Sequence, residues 1–219
     1  MEESTTREKV LKAIRDALVN PMDSPFFQED YSQKIYAAPE TEYPEVAFAE
    51  AFARVGGNFV YCADEQEFAL NIKELLLGKG SEQIHCYESS LQSLLNQHGI
   101  FCINAPEEFK ECVAGITSCE YLIARLGSIM VSSRQPSGRK GFIIPEVHCV
   151  VAWRNQLVSD LKDALEGIRK RYTTLPSMIT TITGPSRTAD IEKTLVMGAH
   201  GPKELFVFFI DQEAELEKK

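Results

Sequence analysis

The stretch from Phe59 to Ile103, FVYCADEQEFALNIKELLLGKGSEQIHCYESSLQSLLNQHGIFCI, decides the fold of this chain. Three short apolar runs within it predict strands, at residues 59–62, 84–87 and 100–103. After the first run, Asp64-x-x-Glu67 is the pattern of a helix N-terminus, and Gly99 is placed to end the second helix. Strands that alternate with helices in this way are typical of an α/β fold with a largely parallel sheet.

The alternation continues on both sides of this stretch. Residues 45–55 predict a helix before it, and residues 158–171 predict a helix after it. Further extended segments are predicted at residues 121–123, 128–132, 142–144, 147–153, 178–182 and 205–210. We therefore expect one α/β domain over residues 45–219.

The N-terminal region, residues 1–44, is predicted to be a helical arm. Thr5-x-x-Glu8 has the pattern of a capping box, and Asn20-Pro21 stops the helix that it opens. The residues that follow are rich in proline and aromatic side chains and show no clear periodicity. Because disordered segments are usually poor in aromatic residues, we expect an ordered arm here.

The composition narrows the classes of function. The formal net charge of −9 supplies no basic stripe for a phosphate backbone, so we expect no nucleic-acid partner. An acidic protein can still hold a local basic pocket for a small anion. The N-terminus has no apolar signal segment, and no run reaches the roughly 18 apolar residues of a membrane span. We expect a cytoplasmic protein.

The six cysteines are scattered, and none of them forms a CxxC pair. This pattern predicts reduced, buried thiols that behave as small apolar side chains. It offers no iron–sulfur or zinc motif, so the sequence predicts no metal site and leaves any cofactor unknown.

The densest polar chemistry lies in a segment that we call the C-terminal motif, residues 183–202, TGPSRTADIEKTLVMGAHGP. It is predicted to join a strand to a helix, with Ser186 or Thr188 as N-cap and with Asp190 and Glu192 in the first helical turn. The free N–H groups of such a junction bind anions, and ligands of α/β proteins lie at the carboxyl ends of strands.

Arg187 adds a guanidinium to this junction. It is expected to clamp a carboxylate or phosphate, while Gly184, Ser186 and Thr188 supply hydrogen-bond donors. Gly198 and Gly201, which flank His200, are expected to let the backbone approach closely. The alternative is a capped helix in which Arg187 pairs with Asp190 or Glu192, and the residues alone leave both interpretations open.

Two histidines and one loop complete the candidate site. His200 projects from a glycine turn and is suited to proton transfer, although a hydrogen-bonded structural role remains open. His148 opens a strong strand, where it either faces a pocket or caps the sheet. Residues 132–141 form a polar, basic loop that either connects two strands or covers an anion.

The C-terminal motif resembles the signature of the lactate utilisation protein C group, the LUD-domain proteins. The resemblance rests on Gly184-Pro-Ser-Arg-Thr-Ala-Asp-Ile-Glu192 and Gly198-Ala-His-Gly-Pro202. It implies a Rossmann-like, three-layer α/β fold of the type shared by sugar-phosphate isomerases and CoA transferases. It also implies a role in bacterial oxidation of L-lactate to pyruvate, together with iron–sulfur partner proteins.

One segment departs from the pattern of that group. The group usually reads Ile-Ala-Glu-Thr-Gly-Thr-Leu, whereas this chain reads Ile123-Ala-Arg-Leu-Gly-Ser-Ile129, so Arg125 replaces an acid. Reversing a charge at the edge of a pocket changes which ligand is tolerated, and we therefore expect Arg125 to contact the ligand.

The leading hypothesis is a subunit of a lactate utilisation system that binds a small anionic metabolite or cofactor at the C-terminal motif. The alternatives are a stand-alone isomerase or CoA-transferase-like enzyme and a non-catalytic sensor or assembly subunit. The candidate catalytic residues are Asp190, Glu192 and His200. The candidate ligand-binding residues are Gly184, Ser186, Arg187, Thr188, Gly201, His148 and Arg125.

Overall fold

A computed structural model describes residues 5–19, 43–104, 113–191, 194–198 and 200–213 of the chain. The described residues form six α-helices: α1 (Thr6–Val19), α2 (Pro44–Arg54), α3 (Glu65–Gly78), α4 (Ser89–Gln97), α5 (Gly138–Ile143) and α6 (Leu161–Arg171). They also form twelve strands: β1 (Asn58–Cys62), β2 (Gln83–His85), β3 (Phe101–Ile103), β4 (Ala114–Ser118), β5 (Tyr121–Ile123), β6 (Ser128–Ser132), β7 (Val147–Trp153), β8 (Leu157–Val158), β9 (Ile179–Ile182), β10 (Arg187–Ile191), β11 (Thr194–Met197) and β12 (Glu204–Ile210).

The chain divides into two compact units, Met1–Ala38 and Pro39–Lys219. In the first unit, the Thr5 N–H donates to the Glu8 carboxylate at 2.8 Å, which completes the capping box at the start of α1. Most of the predicted aromatic arm lies outside the described residues. The domain boundary predicted between residues 44 and 45 stays a prediction.

The second unit is built on a six-stranded sheet in which every pairing is parallel, in the order β1-β12-β7-β4-β2-β3. The helix-start pattern after β1 is formed, because Asp64 accepts a hydrogen bond from the Glu67 N–H at 2.8 Å. The predicted α/β class with a mainly parallel central sheet is therefore confirmed.

Layers cover both faces of this sheet because the central strands are apolar on both sides. On one face, α3 and α4 pack Phe68, Ile72 and Leu95 against the strands. On the other face lie α2, α5 and a second, four-stranded sheet in the order β8-β5-β6-β9, whose outer side is covered by α6. This smaller mixed sheet was not predicted as a separate sheet.

One predicted strand is wrong. Residues 142–144 were expected to be extended, but Phe142 and Ile143 end helix α5. The apolar side chain of Phe142 is buried against the sheet through helical packing instead, since a short apolar run does not by itself distinguish a strand from a helix.

Candidate functional site

A pocket of about 760 Å³ lies at the carboxyl edge of the six-stranded sheet, and we call it the carboxyl-edge pocket. It is formed where β4 and β7 end and where α4 begins, which is the usual ligand position in open α/β folds. Its lining includes Glu88, Ser89, Ser118, Cys119, Glu120, Arg134, Gln135, Trp153, Gln156, Arg171, Tyr172 and Gln212.

A buried carboxylate and a hydroxyl meet in the floor of the carboxyl-edge pocket. Glu88 is 4% exposed and accepts hydrogen bonds from the Ser118 backbone N–H at 2.8 Å and the Ser118 hydroxyl at 2.5 Å. The Gln135 amide donates to the Ser118 oxygens, at 2.7 Å to the carbonyl and 3.1 Å to the hydroxyl. The Ser118 hydroxyl is therefore held with its proton directed at a carboxylate.

A second carboxylate, Glu120, links β6 to the end of α6 in the wall of the carboxyl-edge pocket. It is 1% exposed and accepts from the Ser132 hydroxyl at 2.6 Å, the Tyr172 hydroxyl at 2.8 Å and the Arg171 guanidinium at 2.6 Å. Burial, followed by the charge of Glu120, raises the pKa of Tyr172 to about 12. Because Arg171 neutralises it, Glu120 adds little net negative charge to the pocket.

Two positive features face the carboxyl-edge pocket. Glu88, the N-cap residue of α4, makes no side-chain capping hydrogen bond, and the first residues of this helix line the pocket, where the helix dipole favours an anion. Arg134 is exposed, donates to the Thr174 carbonyl at 3.3 Å and lies over the ring of Tyr172. Its remaining guanidinium donors suit a carboxylate or phosphate.

The C-terminal motif is a β-hairpin rather than a strand-to-helix junction. β10 and β11 pair antiparallel, with Arg187 opposite Met197. Ser186 and Thr188 therefore cap no helix, and Asp190 lies in a strand rather than in a first helical turn. The predicted anion site at a helix N-terminus has no helix to supply it.

The C-terminal motif also lies at the opposite edge of the six-stranded sheet from the pocket. The Ser186 N–H donates to the Pro202 carbonyl, and Lys203 donates to Glu146 just before β7 begins. This is the amino edge of the parallel strands, so the expected position at a carboxyl end is wrong. None of the hairpin side chains that the structure describes lines the carboxyl-edge pocket.

Within the C-terminal motif, the structure shows mainly packing roles. Arg187 donates to the Val55 carbonyl. Gly184 has a φ of 83°, and a Cβ there would overlap that same carbonyl. Gly201 packs against Ser186, where a Cβ would lie 3.1 Å from the Ser186 Cβ.

Of the three candidate catalytic residues, His200 is the one whose side chain the structure describes. His200 is exposed in the turn before β12. The Asp190 side chain and all of Glu192 lie outside what the structure describes. Their roles stay predictions, as does ligand contact by the half-buried Thr188.

His148 is fully buried on β7, and its Nε2 shares a hydrogen bond of 2.9 Å with the Thr117 hydroxyl. Burial lowers its pKa to about 4, so the ring is neutral near pH 7. Its position between the sheet and Phe142 favours a core role over contact with the carboxyl-edge pocket.

Arg125 is a structural clamp in the described structure. It forms a two-point hydrogen bond with Asp160, at 2.9 and 2.8 Å, and Asp160 is the N-cap of α6. The guanidinium lowers the pKa of the Asp160 carboxyl. Arg125 does not line the carboxyl-edge pocket. The arginine that departs from the group pattern therefore supports the N-terminus of α6.

The residues of the carboxyl-edge pocket were not predicted from the sequence as a site. One signal was available, because Ser118 ends the buried strand β4 and Glu120 follows two residues later, where polar residues of parallel sheets form sites. The basic loop over residues 132–141 was noted and does contribute Arg134 and Gln135 to the pocket. No recognisable sequence motif contains Glu88, Arg171 or Tyr172.

The residues described contain no group of three or more His, Cys, Asp or Glu side chains placed to bind a metal ion. Among the helices described, none is both long enough and apolar enough to cross a membrane.

Comparison with known proteins identifies the family. A model of the LUD domain matches residues 103–210. The chain is 31% identical to a lactate utilization protein C of Geobacillus thermodenitrificans over 79% of its own length and 72% of that protein. It is 26% identical to an uncharacterized protein of Neisseria meningitidis serogroup B over 94% of both.

A solved structure supports the fold independently. A DUF162 family protein from Deinococcus radiodurans superposes with a TM-score of 0.56 at 18% identity, over 76% of this chain and 96% of that chain. That structure shows the fold, and the sequence matches show that the chain belongs to the lactate utilisation protein C family of LUD-domain proteins.

Proposed function

We propose that this chain is a component of a lactate utilisation system and binds a small anionic metabolite or cofactor in the carboxyl-edge pocket. The observation that carries the proposal is the pairing of an uncapped α4 N-terminus with the exposed Arg134 in one pocket at the carboxyl edge of the sheet. The relatives named lactate utilization protein C support the system. Iron–sulfur proteins are the partners that the family resemblance implies.

The size of the pocket favours a ligand larger than lactate. Its volume of about 760 Å³ lies within the roughly 300–1,000 Å³ that holds drug-sized ligands. A three-carbon acid would leave most of this space to water. We therefore expect either a larger anionic metabolite or a cofactor-sized anion that occupies the pocket together with a smaller acid.

A stand-alone enzyme is the second candidate, and the contact between Glu88 and Ser118 favours it. A hydroxyl that donates to a buried carboxylate at 2.5 Å is placed to pass its proton to that carboxylate. Turnover of a phosphorylated or acyl substrate by the purified chain, lost in Ser118→Ala, supports this reading. Ligand binding without turnover favours the subunit or sensor role.

Binding is tested by thermal-shift screening followed by calorimetry, with L-lactate, pyruvate, sugar phosphates and CoA esters as the probes. Arg134→Gln removes charge-assisted hydrogen bonds, each of which contributes about 1.5–3 kcal/mol, so affinity should fall about ten- to a hundredfold. Arg187→Gln and Arg125→Gln are matched controls, since neither side chain lines the pocket. Both should keep the affinity of the wild type.

The controls decide between the two positions for the anion. If Arg187→Gln loses affinity while Arg134→Gln keeps it, the ligand binds at the C-terminal motif and the pocket proposal is wrong. A separate experiment tests the lactate role. A Bacillus subtilis strain that lacks its own lactate utilization protein C is made to express this chain, and its growth on L-lactate is measured. Failure to grow despite soluble expression contradicts that role.

A further inference from the structure

We propose that Ser118 is an acyl-transfer nucleophile, with Glu88 as its general base and an activated acyl compound, a thioester or an ester, as the substrate class. This rests on the function proposed above and specifies the chemistry in the floor of the carboxyl-edge pocket. Ser118 is the last residue of β4, is half-buried and lines the pocket, so a bound ligand can reach its hydroxyl. A nucleophile needs this access together with a base in contact with it.

The hydrogen bonds around Ser118 fix the direction of its proton. The Gln135 amide donates to the Ser118 hydroxyl oxygen at 3.1 Å, and the hydroxyl in turn donates to Glu88 at 2.5 Å. Gln135 is itself held in place, since its Oε1 accepts from the Ser132 N–H at 2.8 Å. A hydroxyl oxygen has two acceptor lone pairs, and the amide uses one of them. Among the described contacts, the second is left to attack a carbonyl carbon.

The carboxylate of Glu88 is fixed against the atom that loses the proton. Its Oε1 accepts from the Ser118 backbone N–H at 2.8 Å, while its Oε2 accepts from the hydroxyl of the same residue. Glu88 is 4% exposed, so little water competes for these oxygens. A general base positioned in this way accelerates a reaction about 100- to 10,000-fold.

The charges near Ser118 favour an acyl substrate over a phosphoryl substrate. Phosphoryl transfer spreads negative charge over the oxygens around phosphorus and needs several positive groups close by. Here a carboxylate, Glu88, contacts the nucleophile, and the guanidinium of Arg171 is paired with Glu120 at 2.6 Å. A carbonyl group is uncharged, so it can approach Glu88 without repulsion. An anionic group elsewhere on the substrate would bind at Arg134 in the same pocket.

The reaction balances without a redox step. The Ser118 oxygen attacks the carbonyl carbon, its proton passes to Glu88, and the bond from that carbon to the sulfur or oxygen of the leaving group breaks. The leaving group takes the proton from Glu88 and departs as a thiol or an alcohol. Water then attacks the Ser118 ester and gives Glu88 a proton that returns to the Ser118 oxygen, and a carboxylic acid is released.

A neutral ester tests this chemistry without using the anion site. The folded full-length chain is incubated with p-nitrophenyl acetate, release of p-nitrophenolate is followed by absorbance, and the reaction is quenched in acid. Trypsin cleaves after Lys110 and Arg125, and Ser118 is the one serine of the peptide 111–125. Mass spectrometry should find an acetyl group on this peptide, and fragmentation should locate it on Ser118.

Variants assign the two roles. Glu88→Gln keeps the shape of the side chain and removes the base, so p-nitrophenolate release should fall about 100- to 10,000-fold, and Ser118→Ala should abolish labelling. Glu74→Gln changes an exposed carboxylate of α3 that does not line the pocket, and it should react as the wild type does. Circular dichroism checks that each variant is folded. The proposal is overturned if folded Ser118→Ala reacts as fast as the wild type, or if the wild type carries the acetyl group on Cys119 instead.

An anionic ester separates this inference from the proposed anion site. Mono-p-nitrophenyl succinate adds a carboxylate to the acyl group, so it should acylate the wild type about tenfold faster than the acetate, and Arg134→Gln should remove only this advantage. If the two esters react equally and Arg134→Gln changes neither rate, the anion site is wrong while the role of Ser118 stands. If calorimetry shows anion binding that Arg134→Gln weakens, but neither ester labels Ser118, the anion site stands and the nucleophile is overturned.

Discussion

The buried ion pair between Glu120 and Arg171 should be the most expensive polar contact of the described structure to break. The proposed change is Glu120→Gln, which keeps the shape of the side chain and removes its charge. The amide oxygen can still accept from Ser132 and Tyr172, but the amide NH₂ group then faces the Arg171 guanidinium, which also donates. Arg171 is left as a cation with 15% side-chain exposure and no acceptor in its place.

The expected cost follows from this burial. Removing one partner of a buried ion pair costs about 3–5 kcal/mol, and because Arg171 keeps some contact with water we expect about 3 kcal/mol. The matched control is Glu146→Gln, which breaks the Lys203–Glu146 contact of 2.7 Å between side chains that are both 53% exposed. Exposed pairs contribute about 0–1 kcal/mol, so this control should hardly change stability.

The assay is urea unfolding followed by circular dichroism, with tyrosinate absorbance as a second readout. In Glu120→Gln the pKa of Tyr172 should fall from about 12 towards its ordinary value of 10, although burial keeps it somewhat raised. Since the folded pKa lies above the unfolded one, the stability linked to Tyr172 is lost between about pH 10 and 12, and less of it is lost in the variant. Equal stability of Glu120→Gln and Glu146→Gln would refute this reasoning.

Two further predictions concern a buried histidine and a tightly packed glycine. Because the folded pKa of His148 is about 4 and the unfolded one about 6.5, the unfolded chain takes up the proton first, so wild-type stability should fall by about 3 kcal/mol between pH 6.5 and 4. The free energy of unfolding of His148→Gln, measured in urea, should not show this fall between pH 6.5 and 4. An equal fall in the two proteins would contradict the argument from the burial of His148. Gly127 and Gly80 both have positive φ, but a Cβ at Gly127 meets the backbone of α2 while Gly80 is open. Thermal unfolding should show that Gly127→Ala lowers the free energy of unfolding by about 2–5 kcal/mol and Gly80→Ala by about 1–2 kcal/mol. Equal losses would mean that the α2 backbone moves to accommodate the added methyl group, which would contradict the steric argument.

The α/β framework could be predicted because its signals are local. The Asp64 cap, the glycine after α4 and the apolar runs of β1, β7 and β12 are each decided within a few residues. The smaller mixed sheet could not be derived in this way. Its β5 pairs antiparallel with β6 but parallel with β8, and such pairings depend on contacts between distant parts of the chain.

The C-terminal motif was misassigned because two local rules compete over the same residues. Acidic residues after a serine or threonine favour a helix N-terminus, whereas the β-branched Thr188, Ile191, Thr194 and Val196 favour strands. The antiparallel partner of each strand lies only a few residues away, so a hairpin forms at low entropic cost. The β-branched pattern therefore outweighs the capping pattern here.

The candidate site was not predicted because the fold, and not the order of residues along the chain, brings its side chains together. Glu88, Ser118 and Arg134 each look ordinary in their own segments, and they become a site only because parallel strands bring their carboxyl ends to one edge. In a parallel sheet the side chains that act together come from separate strand ends, so the segment that looks richest in chemistry need not contain the site.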